Sequence, residues 1–120
     1  MQREQAIQNL ILREFGTKPW LRLWRQNTGA ARFGRQFVRF GVPGQADLSG
    51  ILPGGRRLEI EVKSPTGVQS DEQRDFQALI ERFGGVYILA RSVEDVRRRL
   101  QSLGYEVEGA REASHANAQQ

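Results

Sequence analysis

The chain contains no cysteine, one histidine (His115) and four prolines in 120 residues. Without thiols there is neither a disulfide framework nor a thiolate zinc site, so a reducing, cytoplasmic setting is expected. No apolar run approaches the about 18 residues that a membrane span requires, and no charged-then-apolar leader opens the chain, so no membrane association is expected. A length of 120 residues fits one domain, and about two thirds of the unfolded surface can be buried at this size. Acid is also missing from one stretch. Between Glu14 and Asp47 there is no Asp or Glu, whereas Lys18, Arg22, Arg25, Arg32, Arg35 and Arg39 all fall in that gap.

Trp20, Trp24, Phe33, Phe37 and Phe40 are interleaved with these cations. Arginines that release counterions from phosphates, beside flat side chains that stack on bases, suit a nucleic-acid partner. The competing reading places the aromatics in the core and the arginines on a solvated face.

Hydrophobic spacing sets the expected elements. Ile7, Leu10, Ile11 and Phe15 recur at helical intervals in a first helix that ends at Gly16. Residues 21–26 alternate as a strand, 27–30 read as a turn or loop, and 36–40 as a short extended piece before Gly41-Val42-Pro43-Gly44. Strands over 46–52 and 57–63 flank Pro53-Gly54-Gly55-Arg56, a hairpin signal. Ser70-Asp71-Glu72-Gln73 is a capping box that opens a second helix to about Phe83. Val86-Tyr87-Ile88-Leu89-Ala90 suits an interior strand buried on both faces, and Ser92 opens a third helix striped by Val93, Val96, Leu100 and Leu103. Tyr105 to Val107 reads as a short edge strand. Residues 109–120, with His115, have no periodicity and read as a disordered tail beyond a single domain over 1–108; the histidine there reads as inert. The order αβββαβα implies an α/β fold with a mixed four-stranded sheet flanked by helices.

The chemistry concentrates in one segment. Asp47 lies one glycine hairpin away from Glu61-Val62-Lys63, which offers two carboxylates for a hard divalent cation and an ammonium beside them. Leu58, Ile60 and Val62 share one face of their strand and Glu59, Glu61 and Lys63 the other. A two-residue Gly54-Gly55 turn would set Asp47 opposite Val62, on the wrong face. A three-residue Pro53-Gly54-Gly55 loop pairs it with Glu61, and Gly54-Gly55-Arg56 pairs it with Lys63. The functional reading therefore requires a three-residue loop, or a bulge such as Gly50 could supply.

Asp47 and Glu61, with the Val62 carbonyl, can bind Mg2+ or Mn2+ through oxygen and leave positions open for water and phosphate. Lys63 can orient or deprotonate the attacking water, or stabilise the phosphorane. Glu59 is either the alternative ligand or an exposed residue of a solvated face, and Gln73 has a structural role available as a cap.

These residues resemble a known family. The run from Gly41 to Gly50, then Glu61-Val62-Lys63-Ser64, Gly67 and Gln73-x-x-Phe76, are similar to the VRR-NUC (virus-type replication-repair nuclease) branch of the PD-(D/E)XK nucleases. Glu4-x-x-Ile7-Gln8, Arg25-x-Asn27-Thr28-Gly29 and Gly84-Gly85-Val86-Tyr87 extend the similarity to roughly residues 4 to 96. Ala46 stands where the family name has proline. The resemblance implies a restriction-endonuclease-like core and a Mg2+- or Mn2+-dependent endodeoxyribonuclease. Asp47, Glu61 and Lys63 would be its catalytic motif, Gln73 would lie beside the site, and Glu4, near Ile11 and Phe15 on the helix wheel and so able to point inward, would be a further acid. It adds Asn27 to Arg22, Arg25, Arg32, Arg35 and Arg39 as nucleic-acid contacts. It further implies branched DNA such as four-way junctions or flaps, a homodimer, a bacterial or viral origin, and a role in DNA repair in which a replication or repair partner could supply targeting. Two alternatives stand beside it: a nuclease subunit directed by a partner, and a noncatalytic nucleic-acid-binding protein.

Overall fold

The computed structural model describes residues 3–26, 29–33, 36–40 and 42–107, with the two short middle spans described by their backbone. Its elements are α1 (Glu4–Phe15), β1 (Arg22–Arg25), β2 (Gly29–Phe33), β3 (Gln36–Phe40), β4 (Leu48–Leu52), β5 (Arg56–Val62), α2 (Asp71–Arg82), β6 (Val86–Ala90) and α3 (Val93–Ser102). The fold is α/β. A mixed four-stranded sheet has the order β1-β4-β5-β6, antiparallel from β1 to β5 and parallel between β5 and β6.

Helices cover both faces. The even-numbered side chains Leu48, Leu52, Leu58, Ile60, Val62, Val86, Ile88 and Ala90 meet Ile7, Ile11 and Phe15 of α1 and Val96 and Leu100 of α3 in the main core. On the opposite face, Phe76 and Ile80 of α2 pack on Ala46 and Tyr87. Pleating explains the division, because alternate residues of each strand point to opposite sides.

Four expectations are corrected. Gly29 and Ala30 are not a loop but belong to β2, which pairs with β3 as a separate two-stranded sheet inserted between β1 and β4. Val86–Ala90 is buried on its faces yet lies at the sheet edge, because among the described residues its one ladder is with β5 and helices supply the rest of its cover. Residues 105–107 form no strand: Tyr105 stacks on Trp20 with centroids 5.4 Å apart, and the Val107 carbonyl accepts a 2.8 Å bond from Lys18 Nζ. Lys18 is thereby buried and withdrawn from the basic stretch. Fourth, Glu59 is not a solvated residue; it is fully buried. Its carboxylate accepts from Ser49 Oγ at 3.0 Å and Arg57 Nε at 2.6 Å, partners that a buried charge requires. The expected tail over 109–120, with His115, lies outside the described residues.

Candidate metal and phosphodiester site

The Pro53-Gly54-Gly55 connection has three residues, with both glycines at positive φ, and brings Leu52 opposite Arg56 and Leu48 opposite Ile60. One further step sets Asp47 against Glu61. This is the register the carboxylate pair needs, reached without a bulge. Gly50 serves a different purpose, since a Cβ there would overlap the Arg22 carbonyl and glycine lets β1 approach β4.

Asp47 sits where β4 and β5 begin to part. Its backbone carbonyl accepts from Gln26 N at 2.8 Å and its Oδ2 from Val62 N at 2.7 Å, which clamps the residue to strands on both sides. Among the described residues no donor reaches Oδ1. Glu61 Oε1 accepts from the Tyr87 hydroxyl at 2.9 Å, and Oε2 from Gln73 Nε2 at 2.5 Å, with Lys63 Nζ at 3.3 Å from the same oxygen. Tyr87 is the residue that sequence reasoning missed. Its only signal was a hydroxyl inside an otherwise apolar run, where burial demands a partner.

Gln73 holds two positions at once. Its Oε1 accepts from Ser70 N at 2.8 Å and its backbone N–H donates to Ser70 Oγ at 3.1 Å, completing the capping box, while Nε2 points the other way onto Glu61. Gln73→Ala is therefore expected to lose about 1 kcal/mol of stability through the cap, read by urea denaturation.

The loops around the site are tied down. Arg91 Nη1 donates to the Ser64 and Gly67 carbonyls at 2.5 and 2.8 Å, holding the segment that follows Lys63 against β6. Gly44, at φ +79°, lies on the N-terminus of α2, where a Cβ would overlap the Glu72 carbonyl. Glu4 is exposed at the rim, not turned inward, and its Oε2 accepts from Ser64 N at 3.1 Å.

Burial pushes the Asp47 carboxyl above its ordinary pKa, against the lowering effect of the Val62 amide. Burial likewise raises Glu61, against the Tyr87 hydrogen bond. Each acid then holds its proton more tightly folded than unfolded. The stabilising effect is fully present below the ordinary carboxylate value and disappears as pH rises through the folded one. At neutral pH the ionised Asp47 is thus a burden on the fold. Asp47→Asn, which keeps an oxygen for Val62 N, is expected to raise the melting temperature at pH 7 by a few degrees, with the advantage vanishing at acid pH; calorimetry at both values checks this.

Among the described residues no group of three His, Cys, Asp or Glu side chains gathers into a cage. The donor set is two carboxylates, with Asp47 Oδ1 available, and such a set suits a hard cation that keeps much of its water. It does not suit a thiophilic metal. Of the residues read as nucleic-acid contacts, Arg22 and Arg25 are exposed on the edge strand β1, with Trp24 exposed between them. Arg25 forks onto Gln8 Oε1 and Asn9 Oδ1 of α1, both at 2.5 Å, and Arg22 donates to the Leu21 carbonyl at 3.1 Å. Asn27 and Arg35, and the side chains of Arg32 and Arg39, lie outside the described residues.

Comparisons with protein-family models, curated proteins and solved structures find no match for this chain. No helix among the described residues is long and apolar enough to cross a membrane.

Proposed function

We propose that this protein is a Mg2+- or Mn2+-dependent endodeoxyribonuclease of the VRR-NUC type, acting on branched DNA such as four-way junctions or flaps. The observation that carries the reading is the β4–β5 register, which ends with Leu48 opposite Ile60 and leaves Asp47, held by Val62 N at 2.7 Å, one step on at the level of Glu61, with Lys63 Nζ 3.3 Å from Glu61. A buried acid, Glu61, beside a half-buried one, Asp47, favours a cation between them at neutral pH.

A bound divalent ion neutralises phosphate charge and makes water more acidic. Asp47 and Glu61 would supply oxygen ligands, with Tyr87 holding Glu61 Oε1 and Gln73 holding Oε2 until the cation binds. Lys63, two positions beyond Glu61 on the sheet and so roughly 7 Å along the strand, faces the same phosphate as an ammonium. It orients the attacking water or meets the negative charge that builds on phosphorus. Water would form the new P–O bond as the ester P–O bond breaks, the attacking water giving a proton up to solvent and the departing oxygen taking one from solvent. The acid-free stretch from Lys18 to Arg39, less the buried Lys18, supplies cations for the DNA backbone. A homodimer would present two such sites to two strands of a junction.

The test is a panel of duplex, flap and four-way-junction DNA incubated with Mg2+, Mn2+ or EDTA. Cleavage with either cation and none in EDTA is expected. Binding without cleavage under every metal condition would leave only the noncatalytic reading.

A further inference from the structure

The carboxylate of Glu61 is not held symmetrically. Oε1 faces Tyr87, a residue 2 % exposed whose ring packs edge-on against Phe76 at 6.4 Å, so the phenol has no freedom to swing away. Oε2 faces Gln73 and Lys63, two long side chains at the partly open mouth of the site.

The Tyr87 hydroxyl is itself held from behind. Gln69 Nε2 donates to it at 3.3 Å and also donates to Gln77 Oε1 at 3.0 Å, while Gln77 Nε2 donates to Glu81 Oε2 at 3.1 Å. The polarity is consistent where it matters. Gln69 can only donate through that nitrogen, which leaves the Tyr87 proton directed at Glu61, and a carboxylate can only accept. Burying a hydroxyl in an otherwise apolar strand is unfavourable unless it bonds, and phenylalanine would fill the same space beside Phe76. The hydroxyl therefore has a role that packing does not supply.

We propose that Tyr87, anchored by Gln69, is a positioning residue that commits Glu61 Oε1 to the protein and thereby selects Oε2 as the oxygen offered to the divalent cation. The proposal rests on the metal-dependent reading above, and adds which atom binds and what orients it. Gln73 and Lys63 are then the groups that yield Oε2 when the cation arrives, Lys63 turning to the phosphate.

Mn2+ binding to the full chain, followed by titration calorimetry and by the paramagnetic signal of free Mn2+, tests this without reference to cleavage. Tyr87→Phe is expected to weaken Mn2+ binding by about tenfold or more, the usual effect of losing the partner of a metal ligand. Gln69→Leu should weaken it less, and both variants should melt within a few degrees of the wild type. If DNA is cut, the Mn2+ midpoint of cleavage should rise in Tyr87→Phe while the rate at saturating Mn2+ stays near that of the wild type. Unchanged Mn2+ affinity in Tyr87→Phe overturns the proposal, as does a lower saturated rate with an unmoved midpoint. If Tyr87→Phe does not fold, Gln69→Leu decides in the same way. Weaker Mn2+ binding in the variants of a protein that cuts no DNA would support the positioning role and sink the nuclease reading. A wild type that takes up no Mn2+ would sink both.

Discussion

Alanine at Asp47 or at Lys63 is expected to lower DNA cleavage by about 10^2- to 10^3-fold, the range for losing one preorganised group that stabilises transition-state charge, while junction binding persists. On the proposed reading binding should survive because most backbone contact would come from the arginine-rich stretch, of which Arg22 and Arg25 are exposed on β1, with Lys63 the one site cation that would face a phosphate. The two positions differ in what else they do. Asp47 also accepts the Val62 amide at 2.7 Å, so its alanine variant frees a backbone donor as well as losing a charge. Asp47→Asn keeps that acceptor and should be equally inactive while more heat-stable. Lys63 holds no backbone group, but its ammonium lies 3.3 Å from the buried Glu61 carboxylate, so its loss is expected to cost about 1 kcal/mol or more of stability. Gel-shift titration beside single-turnover cleavage measures both quantities. A Lys63→Ala protein that cuts at the wild-type rate would remove this residue from the chemistry.

The second large effect is on folding. Gly44→Ala is expected to destabilise the protein by about 3 kcal/mol, combining left-handed backbone strain with overpacking. Position 44 has φ +79°, and its Cβ would overlap the Glu72 carbonyl and lie 2.9 Å from Gln73 N. The displaced helix start would carry Gln73 away from Glu61, so cleavage should fall with stability. Gly54→Ala is the control. Its φ is +81° but nothing lies within 4 Å of the added carbon, so strain alone acts and about 1 kcal/mol is expected. Urea denaturation of the pair separates collision from conformation; equal losses would show that the contact with α2 is dispensable.

Much of this architecture was legible because it depends on local rules. The capping box at Ser70 and the cap at Ser92 both open helices where expected, since a side-chain oxygen three residues before a free amide satisfies it wherever it occurs. The hairpin was legible down to a choice among loops. Glu59 and Tyr87 were harder. On the sequence, Glu59 differs from Glu61 by nothing but position on the same face, yet one is committed to Ser49 and Arg57 and the other to Tyr87, Gln73 and Lys63. Which neighbours a strand residue meets is a packing outcome, and no periodicity encodes it. Lys18 shows the same limit, because its carbonyl partner Val107 stands 89 residues away.

The sequence by itself determined the materials: an acid-free basic stretch, two carboxylates and a lysine around a glycine turn, and helices whose ends their own caps announce. These follow from residue type and short-range spacing, which act over a few positions of chain. The tertiary structure alone decided the rest. It selected the three-residue turn that sets Asp47 against Glu61, gave Gln73 a second bond and Glu61 a tyrosine, and buried Glu59 and Lys18. Each of those outcomes turns on which distant elements come to lie against one another, and that is settled by packing the whole core at once.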